Sequence, residues 1–234
     1  MTVTIDGTLG INTPPTLTLQ AGTTSATPLQ FTAGSLLTTP VAGAVGYDGK
    51  VLYVTPQGTQ RGVIPGAQFF RLDSGLAGAN ATGAQNVFGV GVTLSSNTVY
   101  AFEAIYALSK SAGTTSHTMG FGFGGAATLN SITYEIQVVR SSSGFTASGT
   151  FASADQYFQQ TASNSVISAA ITSATFFVQG TVKGIVSVNA GGTFIPQYTL
   201  SAAPGGAYTT AANCYFLIYP IGASGANTNV GTWA

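Results

Sequence analysis

The sequence predicts an all-β, antiparallel fold, and three observations carry that expectation. Charged residues make up 5% of the 234 positions, where an ordinary soluble domain has roughly 25%. Ser, Thr, Asn, Gln and 31 Gly take their place; they keep a surface wet through uncharged hydrogen bonds and suit strands and turns better than helices. Apolar residues recur in strand-length runs with turn residues between them, and no convincing amphipathic helix interrupts the series.

Residues 1–65 read as a short, fibre-like segment of strands and one hairpin, suited to attachment and oligomerisation. Thr2-Val3-Thr4-Ile5 alternates before a turn at Asp6-Gly7, and Thr16 to Gln20 alternates again after Pro14-Pro15. Leu17, Leu19, Leu29, Phe31, Leu36 and Leu37 present an apolar face on one side only, and isolated hairpins cannot bury such a face. A second layer must cover it, from the same chain or from neighbours. The sparse, Gly-punctuated pattern favours neighbours, which makes these residues the candidate oligomer interface. The run VGYDGKVLYVT at 45–55 is the sharpest local signal. Asp48-Gly49 supplies the positive φ angles of a tight hairpin turn, setting Tyr47 against Val51 and Tyr53 across the strands. Pro56-Gln57-Gly58 ends the second strand, and Pro65-Gly66 marks the boundary to a second domain.

Residues 66–234 are expected to form a globular head. Strand patterns run over Val87 to Leu94, Val99 to Leu108, His117 to Phe123, Ile132 to Val139, Phe176 to Val188, Phe194 to Leu200 and Tyr215 to Ile221. Their spacing fits an antiparallel, jelly-roll-like β-sandwich better than a parallel sheet, which needs crossover helices. Ser163 to Ala174 has room for one helical turn, although its Ser, Thr and β-branched content argues against a long helix.

Six basic and six acidic side chains leave a formal charge of zero, so no long-range field steers the chain toward phosphate backbones or anionic lipid. Nucleic acid and membrane are not expected partners. Apolar runs are cut by Ser, Thr and Gln well before the ~20 residues a membrane helix needs, and the start, MTVTIDGTLG, lacks the parts of a signal peptide. Near-zero net charge with a mean hydropathy of +0.33 points to apolar surface covered by copies of the same chain. Cys214 is the single cysteine, which excludes an intramolecular disulfide and a Cys-rich metal site.

No catalytic or cofactor motif stands out. His117 alternates with Met119, Phe121 and Phe123 along a strand, where a structural histidine is far commoner than a catalytic base. The acids Asp6, Asp48, Asp73, Glu103, Glu135 and Asp155 form no close sequence pair of the kind glycan-cleaving sites use. Glu103, inside VYAFEAIYAL, is the one acid in a strongly apolar setting, and a salt bridge or rim position is its commoner role. The run Gly120 to Gly125 satisfies G-x-G-x-x-G but lacks the following helix of a dinucleotide site; its glycines are read as room for a close neighbouring backbone. No zinc spacing, calcium loop or phosphate loop is present, so no cofactor or metal is expected. Asn80-Ala81-Thr82 is a formal glycosylation triplet, which means little without a secretory route. Exposed aromatics grip sugars through apolar faces and hydroxyls. Tyr157, Phe158 and Tyr208, in loop-like stretches, are the candidate receptor contacts.

The segment PPTLTLQAGTTSATPLQFTAGSLLTTPVAGAVGYDGKVLYVTPQGTQRGVI resembles a module of tail-fibre and other virion proteins of tailed bacteriophages and cyanophages. Pro28, Leu29, Phe31, Leu37 to Pro40, Tyr47 to Gly49 and Arg61 occupy the characteristic places. HTMGFGFGGAATLNSITYEI and GTFIPQYTLSAAPGGAYTTAANCYFLIYPIG are similar to the C-terminal head of such proteins. The resemblance implies a trimeric virion appendage, assembled in the bacterial cytoplasm, that attaches to other virion proteins and meets a host surface glycan by binding rather than turnover. With one module and no coiled-coil repeat, a capsid decoration or cement protein is the alternative, and a polysaccharide depolymerase a more distant one.

Overall fold

The computed structural model describes residues 19–142, 153–225, 227 and 230–233; Leu17 and the 2–5 and 16–18 stretches lie outside them. Among the described residues the chain is all-β and contains no helix. Three short strands, β1 (Val45–Tyr47), β2 (Leu52–Val54) and β3 (Gly62–Ile64), form one antiparallel sheet. Thirteen more follow: β4 (Gln68–Arg71), β5 (Leu76–Ala77), β6 (Gly83–Asn86), β7 (Val92–Leu94), β8 (Thr98–Lys110), β9 (Met119–Gly124), β10 (Thr128–Ser141), β11 (Ser153–Gln159), β12 (Ser165–Val166), β13 (Phe176–Ala190), β14 (Gly192–Leu200), β15 (Thr209–Thr210) and β16 (Tyr215–Ala223). They pair antiparallel in an eight-stranded sheet, with β11, β10, β13 and β8 side by side and β16 then β4 continuing beyond β8. A five-stranded sheet holds β12, β9, β14, β6 and β7.

Period-two patterning builds these layers. Along β8 the buried positions are Thr98, Tyr100, Phe102, Ala104, Tyr106, Leu108 and Lys110, while Val99, Ala101, Glu103, Ile105 and Ala107 alternate on the opposite face. Phe102 on the large sheet meets Phe123 at 5.2 Å and Phe194 at 6.0 Å on the small one; Tyr106 meets Phe121 at 5.6 Å. The two sheets therefore pack face to face around one apolar core. Each buried aromatic or aliphatic side chain contributes about 1.5–3 kcal/mol by leaving water, and edge-to-face pairs add roughly 0.5–1.5 kcal/mol.

The expected strand over Val87 to Leu94 is broken. Residues 83–86 and 92–94 pair with β14 as separate strands, β6 and β7, and between them the chain bends at Gly89, whose φ is 70°. Val87 and Phe88 are buried in that bend while Val90 beyond it is exposed, so the apolar run that predicts one strand is divided by the turn at Gly89. The 45–55 hairpin forms at Asp48-Gly49, with Gly49 at φ 91°, but its register differs: Tyr47 pairs with Leu52, and Gly46 with Tyr53. The Asp48 carboxylate causes this by accepting from the Lys50 and Val51 amides, both at 2.8 Å, which lengthens the connection to four residues. Over Ser163 to Ala174 the chain makes bends, β12 and a bridge from Ile171 to His117 in place of a helical turn.

Candidate functional site

Four places concentrate polar or exposed aromatic chemistry. The first is sealed between the sheets. His117 is 2% exposed; its Nδ1–H donates to the Thr115 carbonyl at 2.7 Å, leaving Nε2 to accept from the Tyr208 hydroxyl at 2.8 Å. Tyr198, whose ring lies 6.2 Å from that of Tyr208, donates to Gln85 Oε1 at 2.9 Å. Both His117 nitrogens are thus committed inside the protein, and no described Ser or Cys shares a hydrogen bond with the ring. Tyr208, expected as an exposed receptor contact, is fully buried. The loop carrying it is pinned against residues 112–113, where a β-carbon at Gly206 would meet Ala112, and its hydroxyl is turned inward to the imidazole.

The second place is the Arg140 cluster. The Arg140 guanidinium donates to the Asp155 carboxylate and to the Ile167 carbonyl, and Tyr157 donates to the same carbonyl at 3.1 Å. Tyr157 and Phe158 lie on strand β11, paired with β10, and not in a loop; the period-two pattern turns Tyr157 toward the core and leaves Phe158 66% exposed. Of the three aromatics expected to meet a receptor, Phe158 alone stands out in solvent.

The third is the outward face of the large sheet. Glu103 is half-buried, not enclosed. It lies in register with Lys183 and accepts from Tyr215; burial first, and then this carboxylate, raises the Tyr215 hydroxyl above its ordinary pKa. Glu135 flanks Lys183 on the other side. Among the described residues no three His, Cys, Asp or Glu side chains cluster closely enough to hold a metal.

The fourth is the N-terminal segment. Leu29 and Phe31 line a cleft of about 740 Å³ with Tyr47 and Leu52, and Leu19, Leu29, Phe31 and Leu37 are all exposed. Leu36 is half-buried over the hairpin, so tightly that a side chain at Gly46 would meet it at 2.9 Å. Lys50 ties the hairpin to the start of β8 by donating to the Ser96 carbonyl at 3.0 Å and to Thr98 Oγ1 at 3.2 Å.

Two consequences of the buried hydroxyls are measurable. Burial pushes Tyr134 and Tyr198 up to about 12, and burial with the Asp48 carboxylate does the same to Tyr53. A phenol whose folded pKa lies above its unfolded value, near 10, keeps its stabilising contribution below pH 10 and loses it as pH climbs toward 12. Stability is therefore expected to fall between pH 10 and 12, by roughly 2–3 kcal/mol for each of Tyr134 and Tyr198. Denaturant midpoints at pH 9, 10, 11 and 12 check this, and a flat profile would refute it. The Tyr106 hydroxyl is buried with no partner among the described residues, whereas Tyr208 is bonded. Tyr106→Phe is expected to be neutral or stabilising by up to about 1 kcal/mol, and Tyr208→Phe to cost about 1–2 kcal/mol. Paired thermal melts decide between these signs.

Compared with known protein families, curated proteins and solved structures, the chain matches none of them.

Proposed function

We propose that this chain is a structural protein of a tailed-bacteriophage virion: a non-enzymatic, homo-oligomeric tail fibre or short appendage whose jelly-roll-like head is held in three copies. The observation that carries this reading is the N-terminal apolar row. Leu29 and Leu37 are 58% and 54% exposed, with Leu19 and Phe31 beside them, in a chain whose few charges cannot keep such a surface apart from its own kind. Binding, not turnover, suits this surface chemistry. Phe158 on the head offers an apolar ring to a host glycan, and contacts repeated over symmetry-related copies would sum by avidity.

The test is location and copy number. Antibody raised against the purified chain is expected to label phage tails, with a few dozen copies or fewer per particle by quantitative densitometry. Hundreds of copies on the head would replace this reading with a capsid decoration. Absence from purified particles would refute a virion role, and reducing sugar released from host capsule or lipopolysaccharide would refute the non-enzymatic one.

A further inference from the structure

We propose that copies of this chain exchange N-terminal arms, with residues 27–33 of one copy adding as a strand to the free edge of β4 in the next. The inference rests on the oligomeric reading above and supplies the surface that receives the arm. Among the described strands β4 pairs with β16 alone, and all four of its residues are exposed, where a strand inside a sandwich buries every second one. Such an edge carries unpaired N–H and C=O groups that another strand can take up.

A cleft of about 320 Å³ runs along that edge. Phe69 and Phe70 both line it, although consecutive side chains leave a strand on opposite faces; the cleft therefore lies beside the backbone of β4 and not over one face. Phe69 is turned outward onto Tyr215 and Phe70 inward onto Phe88. Val90 and Val92 form the other lip, and the core residues Phe88 and Phe216 form the floor. Phe70 and Val90 are 40% and 48% exposed, so the sandwich is open at this point.

The arm has the complementary defect. Among the described residues, 27–33 make no backbone hydrogen bond. Leu29 and Phe31 stand two positions apart, so in an extended strand both side chains point to one face, and Pro28, without an N–H, is tolerated on an edge. No charged residue occurs from 7 to 47 and none lines the cleft, so neither surface gives up ionic hydration on contact, as a charged partner strand would. Within its own chain the arm is held elsewhere. The Gly34 N–H donates to the Tyr47 carbonyl at 3.0 Å and Arg61 holds the Leu37 carbonyl, setting Leu29 and Phe31 beside Tyr47 and Leu52, which do not line the β4 cleft. Every copy thus carries a strand without a ladder and a ladder without a strand. Because the contact joins two different surfaces, it runs head to tail and closes as a ring, of three copies in the proposed appendage.

Oxidation of Phe31→Cys/Val90→Cys chains with diamide tests the exchange, the native Cys214 being buried. Three linked chains are expected on a denaturing gel, returning to single chains on reduction. A link formed within one chain would overturn the proposal. So would Phe31→Cys chains that link to Phe158→Cys, at the opposite edge of the sheet, as readily as to Val90→Cys. Sedimentation velocity from 1 to 50 µM supplies a measurement that leaves the cleft intact: Leu29→Asp/Phe31→Asp, both at exposed arm positions, is expected to weaken self-association at least tenfold with far-ultraviolet circular dichroism unchanged. Unaltered association of that variant would overturn the exchange, as would a wild-type chain that stays single at 50 µM. Each of these results leaves the appendage reading standing, since particle labelling decides that separately.

Discussion

Gly184→Ala is expected to destabilise the fold by about 2–4 kcal/mol, the opposite of what strand propensity forecasts. Glycine inside a strand ordinarily costs roughly 0.5–1 kcal/mol relative to alanine, so a substitution judged on backbone entropy should help. Gly184 sits on β13 between Lys183 and Ile185, with its missing side chain aimed at the core. Its register partners are Tyr134 on β10 and Phe102 on β8. A β-carbon there would lie 2.5 Å from Tyr134 Cβ, 2.6 Å from Phe102 Cζ and 2.6 Å from the Thr133 carbonyl. The phenyl ring can tilt; Tyr134 Cβ and the carbonyl are fixed to the central ladder and cannot. Overpacking of a finished core costs about 1–3 kcal/mol and more when backbone must move. Gly66→Ala, where nothing lies within 4 Å, should be neutral and is the control. Chemical denaturation of both variants checks the pair, and a Gly184→Ala midpoint at or above wild type would show that the two rings are not locked against β13.

The same position shows how far the residues themselves announced the fold. Long strands such as β8, β10 and β13 were legible because one face is apolar at every second residue, a pattern only a half-buried strand produces. Gly184 and Gly180 on β13 gave no such signal: the large-small-large row of Tyr134, Gly184 and Phe102 exists only once strands far apart in sequence are set in register. Two-residue strands such as β5 and β15 are too short to carry periodicity. Phe158 stands out in the sequence for its aromatic ring and not for its place on β11, and the burial of Tyr208 is hidden because AAPGGAYTT has the composition of a surface loop. Its glycines instead let that loop lie directly on another backbone. The inward position of His117 is legible from its alternation with Met119, while its two partners, Thr115 and Tyr208, are not.

Lys110 is the clearest residue that pattern reading passed over, and its removal should be the second large loss. A lysine closing a strand normally reads as a solvated end, yet Lys110 is 4% exposed. Its ammonium donates to the Gly113 carbonyl at 2.7 Å and the Ser173 carbonyl at 2.5 Å, with Ala112 and Ala174 at 3.4 Å. All four acceptors are backbone, from the turn after β8 and the turn before β13, so one cation ties together two segments about sixty residues apart in sequence. Two effects oppose each other in this arrangement. Enclosure disfavours the charge and draws the lysine pKa below its ordinary 10.5, while the carbonyls have no other described donor of comparable strength. Truncation removes the first cost and exposes the second: four part-buried carbonyls lose a charged donor, and an acceptor left without its donor costs up to about 1–3 kcal/mol. Lys110→Met, which keeps the apolar stem, is therefore expected to lose about 2–4 kcal/mol and to speed amide exchange in residues 111–113 and 173–174. A lysine pKa lowered by folding also makes wild-type stability rise with pH as the solution approaches 10.5 from below, because the folded chain releases that proton first. The methionine variant should lack this rise and show only the tyrosine-driven fall above pH 10. If Lys110→Met matched wild type in both midpoint and pH profile, the ammonium would be a passenger in its cage, and the two turns would be held by packing alone.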